Sequence, residues 1–376
     1  MTAPAAPKIL IAGAGPTGLA CALELARRGF ALRIVDKGAG FTPVEQSRAL
    51  GVNNRTLQLL QPSGVTDKLL AKGTRATHLR IRNEKGRDVI RTPFAYPGVL
   101  YPFMLVLAQG RTERLLGEAL NAHGVSIEWN TQVTDANGDA LRPEVRLTGP
   151  GGAESVSADI VIGADGPGSQ IRKSFGFSFE GSSLATEFGL ADVDLGDAID
   201  TEELFVHFNG ADILARIPMG GKTVRYISPR ANISKALPDD LKIERIVWRS
   251  SFHINFRHVE QMARGRVFLA GDAAHVHSPV GARGMNLGIE DACWLAWAIE
   301  AGKTGDYSGL RMPVVRKVVT QTRTQTRALL GFNSFTRFLR DHAANALLSV
   351  PFIRAAAFKG VTGLDTIDPP WLKQQC

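Results

Sequence analysis

The stretch Lys8-Ile-Leu-Ile-Ala-Gly-Ala-Gly-Pro-Thr-Gly18 joins a short apolar run to a glycine-rich turn. An Ala- and Leu-rich run with helical spacing follows and stops at Gly29. A second apolar run, Ala31–Val35, then ends at Asp36. This order predicts a strand, a turn, a helix and a second strand, which is how a Rossmann-type α/β fold begins.

The residues of this turn have separate mechanical roles. Gly13 permits the tight turn, Gly15 lets the backbone approach a pyrophosphate, and Gly18 lets the helix pack closely on the strand. Pro16 and Thr17 stand where the helix begins, and free N–H groups at such an end attract phosphate. The turn therefore predicts a dinucleotide site.

The acidic residue after the second strand completes this pattern. Asp36 follows Gly18 by 18 residues, a distance at which a carboxylate binds the hydroxyls of the adenosine ribose. Lys37 comes directly after it, and we expect it at the same end of the cofactor. This pattern alone leaves open which dinucleotide binds.

Composition excludes several classes of protein. The 376 residues carry a net charge of +8 with 44% hydrophobic residues, so we expect a folded chain of two or three structural units. Three scattered cysteines exclude a disulfide framework, a cysteine zinc site and a redox dithiol, and a reducing cytoplasm is the expected location. His275 and His277 have no third ligand in view, so no metal site is expected. Glycines and Glu24 interrupt the apolar run at 9–26, which excludes a signal peptide or membrane span there.

The positive charge is concentrated in residues 311–340, which hold seven basic side chains and no acidic one. We expect the solvated face of a C-terminal helix. The alternative is a weak contact with an anionic membrane or an acidic partner, helped by nearby apolar residues, and nucleic acid is not expected. The basic residues are Arg311, Arg316, Lys317, Arg323, Arg327, Arg337 and Arg340, and the apolar ones are Val314, Val315, Val318, Val319, Leu329, Leu330 and Phe338.

Four further motifs distinguish flavin from nicotinamide. They are Ser47-Arg-Ala-Leu50, Tyr101–Gln109, Ala158–Gly166 with its Asp-Gly pair, and Gly265–Ala292, which contains Gly271-Asp272 and Gly281-Ala-Arg-Gly-Met-Asn286. Together they resemble the FAD-dependent aromatic hydroxylase family typified by para-hydroxybenzoate hydroxylase, and most closely its phenol and polyketide hydroxylase branch. The resemblance covers about residues 8–300.

The resemblance implies both a reaction and a set of cofactor residues. NADH or NADPH docks transiently and reduces FAD, O2 forms a flavin C4a-hydroperoxide, and one oxygen is transferred to an electron-rich ring. Arg48 and Gln109 approach the pyrophosphate, Asp272 the ribityl chain, and Asp165 both FAD and the nicotinamide cofactor. The helix near Gly284 directs N–H groups at the flavin N1–C2=O edge. The full predicted set is Gly13, Gly15, Pro16, Thr17, Gly18, Asp36, Lys37, Arg48, Gln109, Val133, Asp165, Asp272, Gly284, Met285 and Asn286.

The chain also departs from this family. Gly281-Ala-Arg-Gly284 stands where the family usually has Gly-Gly-Gln-Gly, so Arg283 is expected to alter substrate contacts or flavin mobility. We expect no thioredoxin-like C-terminal domain, and either a monomer or a homodimer. No second complete dinucleotide fold is visible, which disfavours the disulfide reductases of similar architecture.

The predicted fold is α/β, with a Rossmann-type FAD-binding domain, an inserted β-sheet substrate domain and C-terminal helices. The FAD-binding domain is expected at 1–75, 101–180 and 259–310, the substrate domain at 76–100 and 181–258, and the helical segment at 311–376.

A three-stranded meander is predicted within the substrate domain, with turns at Asn209-Gly210 and Gly220-Gly221. In the predicted register Val206 faces Ile213, Ile217 faces Val224 and Ala215 faces Tyr226. One face then forms an apolar pocket for a ring substrate, whereas His207, Arg216 and Arg225 lie on the other face. The predicted pocket residues are Val206, Ile213, Ala215, Ile217 and Tyr226.

Three residues are candidates for direct roles in the reaction. Tyr226 or the backbone carbonyl near Pro279 could accept a hydrogen bond from the hydroxyl of a phenolic substrate, and Arg283 lies in the altered loop. The predicted activity is hydroxylation of a phenolic, polyketide or heteroaromatic substrate. The alternatives are an FAD-dependent oxidoreductase of a lipid or isoprenoid substrate, and a non-catalytic FAD-binding redox module.

Overall fold

The computed structural model describes residues 8–96, 98–197, 199–209, 212–331 and 350–372. Its helices are α1 Pro16–Ala26, α2 Asn54–Leu60, α3 Val65–Lys72, α4 Gln109–Ala122, α5 Gln170–Ser174, α6 Arg283–Glu300, α7 Tyr307–Leu330 and α8 Pro351–Thr362. Its strands are β1 Ile9–Ala12, β2 Leu32–Val35, β3 Gly51–Val52, β4 Thr74–Ala76, β5 His78–Arg82, β6 Asp88–Pro93, β7 Met104–Val106, β8 Ile127–Glu128, β9 Gln132–Ala136, β10 Glu144–Gly149, β11 Gly152–Ser157, β12 Ile160–Gly163, β13 Glu180–Leu195, β14 Glu203–Asn209, β15 Asp212–Gly220, β16 Thr223–Ser228, β17 Ile243–His258, β18 Ala263–Arg264, β19 Val267–Leu269 and β20 His275–Val276.

A six-stranded sheet in the order β18-β19-β12-β1-β2-β8 forms the centre of the molecule. β1 pairs in parallel with β12 on one side and with β2 on the other, and only β18 runs antiparallel to its neighbour. All four residues of β1 are buried, and α1 packs against α4 and α6. The predicted strand, turn, helix and strand are therefore confirmed, and so is the Rossmann-type α/β fold.

An eight-stranded sheet in the order β20-β17-β13-β16-β15-β14-β5-β6 lies beside it. It contains the predicted meander, β14-β15-β16, and two long strands, β13 and β17, of 16 residues each. Its strands come from residues 78–93 and 180–258, together with β20. The exact domain boundaries given above remain a prediction.

The register of the meander differs from the prediction at both turns. β14 and β15 pair two residues further along, with Val206 opposite Ala215, and an even shift leaves every side chain on its predicted face. β15 and β16 are shifted by one residue, so that Ile217 pairs with Arg225 and Arg216 with Tyr226.

The cause of the second shift lies in the turn. An irregularity falls between Pro218 and Gly220, and Gly220 pairs with Thr223, whereas the prediction placed Gly220 inside the turn. Gly220 and Gly221 both have positive φ angles, of 100° and 59°. The predicted faces of Tyr226 and Arg225 were therefore wrong, because a one-residue slip exchanges the faces of a strand.

The helix α7 carries most of the described basic segment. Its apolar side, formed by Val314, Val315, Val318 and Val319, is buried in the main core, whereas Arg316, Lys317 and Arg327 are exposed. Four of the apolar residues that would have supported membrane contact are thus already used in packing. Arg337, Phe338 and Arg340 lie outside the described residues. No helix in the described ranges is both long and apolar enough to cross a bilayer.

Candidate cofactor and substrate site

A groove of about 370 Å³ opens at the carboxyl ends of β1, β2 and β12. Ligands of open α/β sheets bind at this edge, where the loops that leave parallel strands converge. The groove brings several predicted cofactor residues together, and part of its lining is Gly13, Gly15, Asp36, Lys37, Val133, Asp165 and Gly166.

The three glycines of the turn occupy three different environments. Gly13 has a φ of 102°, and a Cβ there would meet the carbonyl of Ala164. A Cβ on Gly18 would overlap the carbonyl oxygen of Gly13, so this residue sets the contact between α1 and β1. At Gly15 an added Cβ would meet no heavy atom within 4 Å, so the backbone there borders open space.

The turn is held in shape by Asp36. Its Oδ2 accepts a hydrogen bond from the Ala14 N–H at 2.6 Å, and its Oδ1 accepts one from the Gly38 N–H at 2.7 Å. Each carboxylate oxygen keeps a lone pair for a ribose hydroxyl. Lys37 is exposed beside it.

Asp165 faces the groove from the opposite side. Its Oδ2 accepts hydrogen bonds from the N–H groups of Gln170 (2.6 Å) and Ile171 (3.2 Å) at the start of α5. Its Oδ1 is buried and has no hydrogen-bond partner among the described residues. A buried carboxylate oxygen of this kind calls for a donor from a ligand or from water.

The Gly271-Asp272 turn packs directly on the start of α1. A Cβ on Gly271 or on Gly288 would overlap the hydroxyl of Thr17, which fixes the distance between α1 and α6. The Asp272 side chain is accessible to solvent. The surrounding protein nevertheless desolvates this carboxyl and raises its pKa, an effect that the charges of His275 and Arg48 partly offset.

Arg172 connects the two loops that carry these aspartates. Its Nη1 donates to the carbonyl of Ala273 at 2.9 Å, and its Nη2 donates to the carbonyl of Pro167 at 2.7 Å. Its guanidinium also lies over the ring of Phe179, with 3.8 Å between Cζ and the ring centroid. The Asp-Gly loop and the Gly-Asp loop are thus held at a fixed separation.

A buried charged network that the sequence did not reveal lies beneath the Gly271-Asp272 turn. Asp291 accepts hydrogen bonds from the Gly271 N–H (3.2 Å), from His275 Nε2 (2.6 Å) and from Arg311 Nε (2.8 Å). Arg311 also donates to Glu290 at 2.9 Å, and its side chain is completely buried. Glu290 and Asp291 stand within the quoted motif, but Arg311 had been assigned to a solvated face.

The segment 48–53, which begins with Arg48, is held by the side chains of Gln109 and Asn286. The Oε1 of Gln109 accepts from the Ala49 N–H at 3.2 Å, and the Arg48 side chain is exposed. The Asn286 amide donates to the Gly51 carbonyl at 2.8 Å and accepts from the Asn53 N–H at 3.0 Å. Because its side chain is engaged in these bonds, Asn286 is available to a ligand only through its backbone.

The loop before α6 has an unusual backbone. Gly281 and Ala282 have φ angles of 79° and 54°, and the Pro279 carbonyl accepts a hydrogen bond from the Ala282 N–H at 2.9 Å. The first N–H groups of α6, around Gly284 and Met285, have no acceptors within the helix. This loop therefore presents a positively polarised helix end to its surroundings.

The inner face of the meander turns toward the segment 44–50. Leu204 and Ile217 pack with Leu50, and the other inner-face apolar side chains are Val206, Phe208, Ile213 and Ala215. Tyr226 lies on the opposite face, where it packs with Val193 and Val224 and is 4% exposed.

Arg225 occupies the inner face instead of Tyr226. It forms a bidentate ion pair with Asp192, in which Nε and Nη2 lie 2.7 Å from the two carboxylate oxygens, and both side chains are 1% exposed. Its Nη1 donates to the carbonyl of Arg48 at 2.8 Å. Sequence alone could not pair Asp192 with Arg225, because the register of β16 was needed to bring them together.

These features fit FAD. The open backbone at Gly15 and the start of α1 suit its pyrophosphate, and Asp36 and the unpaired Oδ1 of Asp165 suit sugar hydroxyls. Within the described ranges, no group of three or more His, Cys, Asp and Glu side chains is arranged to hold a metal ion.

Comparison with known proteins agrees with this fit. Residues 7–322 match the family described as FAD binding domain. The chain is 35% identical over 351 residues to 6-methylpretetramide 4-monooxygenase of Streptomyces rimosus. This match covers 85% of this chain and 62% of that protein. It is 28% identical over 356 residues to pentachlorophenol 4-monooxygenase of Sphingobium chlorophenolicum, covering 86% of this chain and 65% of that protein. The chain thus spans less than two thirds of either relative.

Among solved structures, anhydrotetracycline hydroxylase from Streptomyces rimosus superposes with a TM-score of 0.81 at 28% identity. The match covers 96% of this chain and 77% of that one.

Proposed function

This chain belongs to the FAD-binding domain family, and on that premise we propose that it is an NAD(P)H- and O2-dependent monooxygenase of aromatic compounds. The observation that carries the proposal is the position of an apolar sheet face next to a cofactor edge. Leu204 and Ile217 pack with Leu50, at the end of the segment that begins at Arg48. An apolar ring placed between these elements would lie beside the flavin edge.

The proposed substrate is a large, fused aromatic ring system. The proteins named in the comparisons act on 6-methylpretetramide, pentachlorophenol and anhydrotetracycline, and two of these are polyketide-type substrates. On the inner face the described cation, Arg225, is already neutralised by Asp192, so a small carboxylate would find no free partner there. The same arrangement favours an aromatic ring over a charged substrate.

When bound, FAD reduced by NAD(P)H would supply the electrons that activate O2. The chain's own residues would bind the cofactor, orient the substrate and exclude water. Gly15 and the start of α1 would hold the pyrophosphate, Asp36 would bind the adenosine ribose, and Asp272 would bind the ribityl chain. The N–H groups at the start of α6 would polarise the flavin edge, and the apolar sheet face would keep water from the reacting ring.

Asp165 and Arg48 are the proposed contacts for the nicotinamide cofactor. Asp165 retains one unpaired oxygen, and Arg48 has an exposed side chain and a backbone carbonyl that accepts a hydrogen bond from Arg225. The Pro279 carbonyl, on the loop before α6, is the proposed acceptor of a hydrogen bond from the phenolic hydroxyl. Tyr226 is no longer favoured in that role because it lies on the far face of the sheet.

The lipid or isoprenoid alternative has less support. The relatives compared above act on aromatic compounds, and the apolar side of α7 is buried inside the protein. The non-catalytic alternative would use the same FAD site, so the glycine turn and Asp36 fit both interpretations. The relatives compared above are named monooxygenases, which favours catalysis.

The first test is NAD(P)H oxidation by the FAD-loaded protein with and without tetracyclic polyketides, simple phenols and hydroxypyridines. We expect tetracyclic rings to accelerate oxidation at least about tenfold, with oxygen recovered in the product, because two of the proteins compared above are named for 6-methylpretetramide and anhydrotetracycline. A slow rate that no aromatic changes, with all oxygen recovered as peroxide, would contradict a hydroxylase.

Tyr226→Phe and Ile217→Phe form a matched pair for the substrate face. With the substrate found above, Y226F should change kcat/KM by less than about twofold, because Tyr226 is on the outer face. I217F should raise KM about tenfold or more, because it fills the inner face. Equal effects of the two substitutions would show that the inner face is not the substrate surface.

A further inference from the structure

Residues 350–372, called here the C-terminal segment, pack against several parts of the molecule. Phe358 of α8 packs edge-to-face on Phe94, with 5.3 Å between the ring centroids, and it lies in an apolar cluster with Met104 and Ala282. Further along, Trp371 packs against Trp294 of α6 at 5.1 Å. The segment therefore contacts both the start and the middle of α6.

Arg283 makes the polar contact between the flavin-facing loop and this segment. Its guanidinium is buried, and Nη1 donates to the carbonyl of Gly360 and to Asp365 Oδ1, the latter at 2.7 Å. Gly360 lies in the last turn of α8, and its carbonyl otherwise accepts only a long hydrogen bond, of 3.4 Å, from the Gly363 N–H at the helix end. A cation at this end also interacts favourably with the helix dipole.

Asp365 is held as a carboxylate by its neighbours. Burial alone would raise its pKa, but the charge of Arg283 beside it, aided by Lys317, lowers the pKa below its usual value. Lys317 of α7 also donates to the Asp365 backbone carbonyl at 2.6 Å. The charge on Asp365 is thus shared between two helices that approach from different sides.

The loop that Arg283 follows has a backbone that needs support. Ala282 has a φ of 54° and a ψ of 38°, a left-handed conformation that costs a residue with a Cβ about 1–2 kcal/mol. Such a conformation persists only where surrounding contacts hold it. Its methyl group packs against Gly51 and Met104 on one side and lies in the same cluster as Phe358 and Val361.

We propose that Arg283 is a positioning residue that ties the flavin-facing loop 279–284 to the C-terminal segment through Asp365 and Gly360. Docking of the segment then sets the conformation of Ala282 and the direction of the first N–H groups of α6. The proposal rests on the FAD site described above, but it concerns protein contacts that exist without substrate. The C-terminal segment becomes a structural part of the flavin site.

The test uses Arg283→Gln and Asp365→Asn in the FAD-loaded protein of 376 residues, with Asp368→Asn as the matched control. Asp368 also pairs with a buried arginine, Arg55, at 2.6 Å, but its own side chain is 64% exposed and this pair does not touch the loop. Amide hydrogen exchange would be followed in 281–290 and in α8, together with FAD affinity and the visible flavin spectrum.

R283Q and D365N should both speed exchange at the start of α6 and in α8 at least about tenfold, and should shift the flavin absorption bands. D368N should change exchange only after residue 362 and leave the spectrum unaltered. Arg283→Lys, which keeps a cation opposite Asp365, should recover most of the protection. If R283Q does not fold, D365N carries the same test.

Faster exchange in α8 with an unchanged loop and flavin spectrum would overturn the proposal. Failure of the wild-type protein to bind FAD would count against the proposed function instead. The exchange experiment without FAD would then still decide whether Arg283 couples the loop to the segment.

Discussion

The groove at the ends of β1, β2 and β12 and the inner face of the meander are built by different means. In the groove, backbone N–H groups, glycines and two carboxylates, Asp36 and Asp165, set the shape. On the meander, aliphatic side chains and one buried ion pair, Arg225–Asp192, set it. The groove can therefore keep its ligand while side chains elsewhere change, whereas the meander can change specificity by single substitutions.

The largest expected effect comes from breaking the buried pair on the meander. Arg225→Met should lower the free energy of unfolding by about 3–5 kcal/mol, because it leaves Asp192 charged and buried without a partner. Denaturation with urea would measure the change. Arg245→Met is the control. Arg245 pairs with Asp194, which lies on β13 like Asp192, but the Arg245 side chain is 70% exposed.

R245M should lower the free energy of unfolding by less than about 1 kcal/mol. The double variant Arg225→Met/Asp192→Leu should recover part of the loss, because no buried charge remains in it. Similar losses for R225M and R245M would mean that burial does not distinguish the two pairs.

A smaller effect is expected where the groove is altered by a single methyl group. Gly18→Ala should destabilise the protein by about 1–3 kcal/mol, because its Cβ would overlap the Gly13 carbonyl. Gly15→Ala should leave the melting temperature of the apoprotein nearly unchanged but weaken FAD binding tenfold or more, by about 1.4 kcal/mol. Calorimetry and flavin fluorescence titration would separate the two effects. Loss of stability in G15A would show that the space beside Gly15 is not open.

The last prediction concerns the pH dependence of stability, at His277 in the loop before α6. The imidazole of His277 is desolvated and lies near His275, and together these lower its pKa from 6.5 to about 3. As the pH falls, His277 therefore becomes protonated at a higher pH in the unfolded chain than in the folded protein. Stability should decrease between about pH 6.5 and 3 by up to about 1.4 kcal/mol per pH unit.

Urea denaturation across this pH range would measure the slope. His277→Asn should remove that part of the slope, whereas His253→Asn, at an exposed position of β17, should retain it. Identical slopes in H277N and the wild-type protein would assign the pH dependence to other groups.

The sequence predicted what local geometry determines. Gly13, Gly18 and Asp36 lie where the motif placed them, because each is fixed by atoms of the same turn or of an adjacent strand. The face of Tyr226 could not be predicted, since Gly220 and Gly221 allow more than one position for the turn. One residue of slip was enough to exchange Tyr226 with Arg225.

Ion pairs between residues that are distant in sequence could not be predicted either. Arg225 and Asp192 are 33 residues apart, and Arg311 and Asp291 are 20 apart. In a helix with several arginines, nothing in the local pattern identifies Arg311 as the buried one. Its burial follows from the way that α7 crosses α6, which is a tertiary property.

The two hydrogen bonds that Asp36 accepts from Ala14 and Gly38 make the groove a property of the polypeptide itself. Because folding already orders this turn, the entropy of ordering it does not oppose binding. The binding site is then preorganised, and one flavin can be exchanged for another. Chemically altered flavins that retain the adenosine diphosphate moiety should bind in the same position. The redox potential of the bound cofactor can then be varied while the protein stays the same.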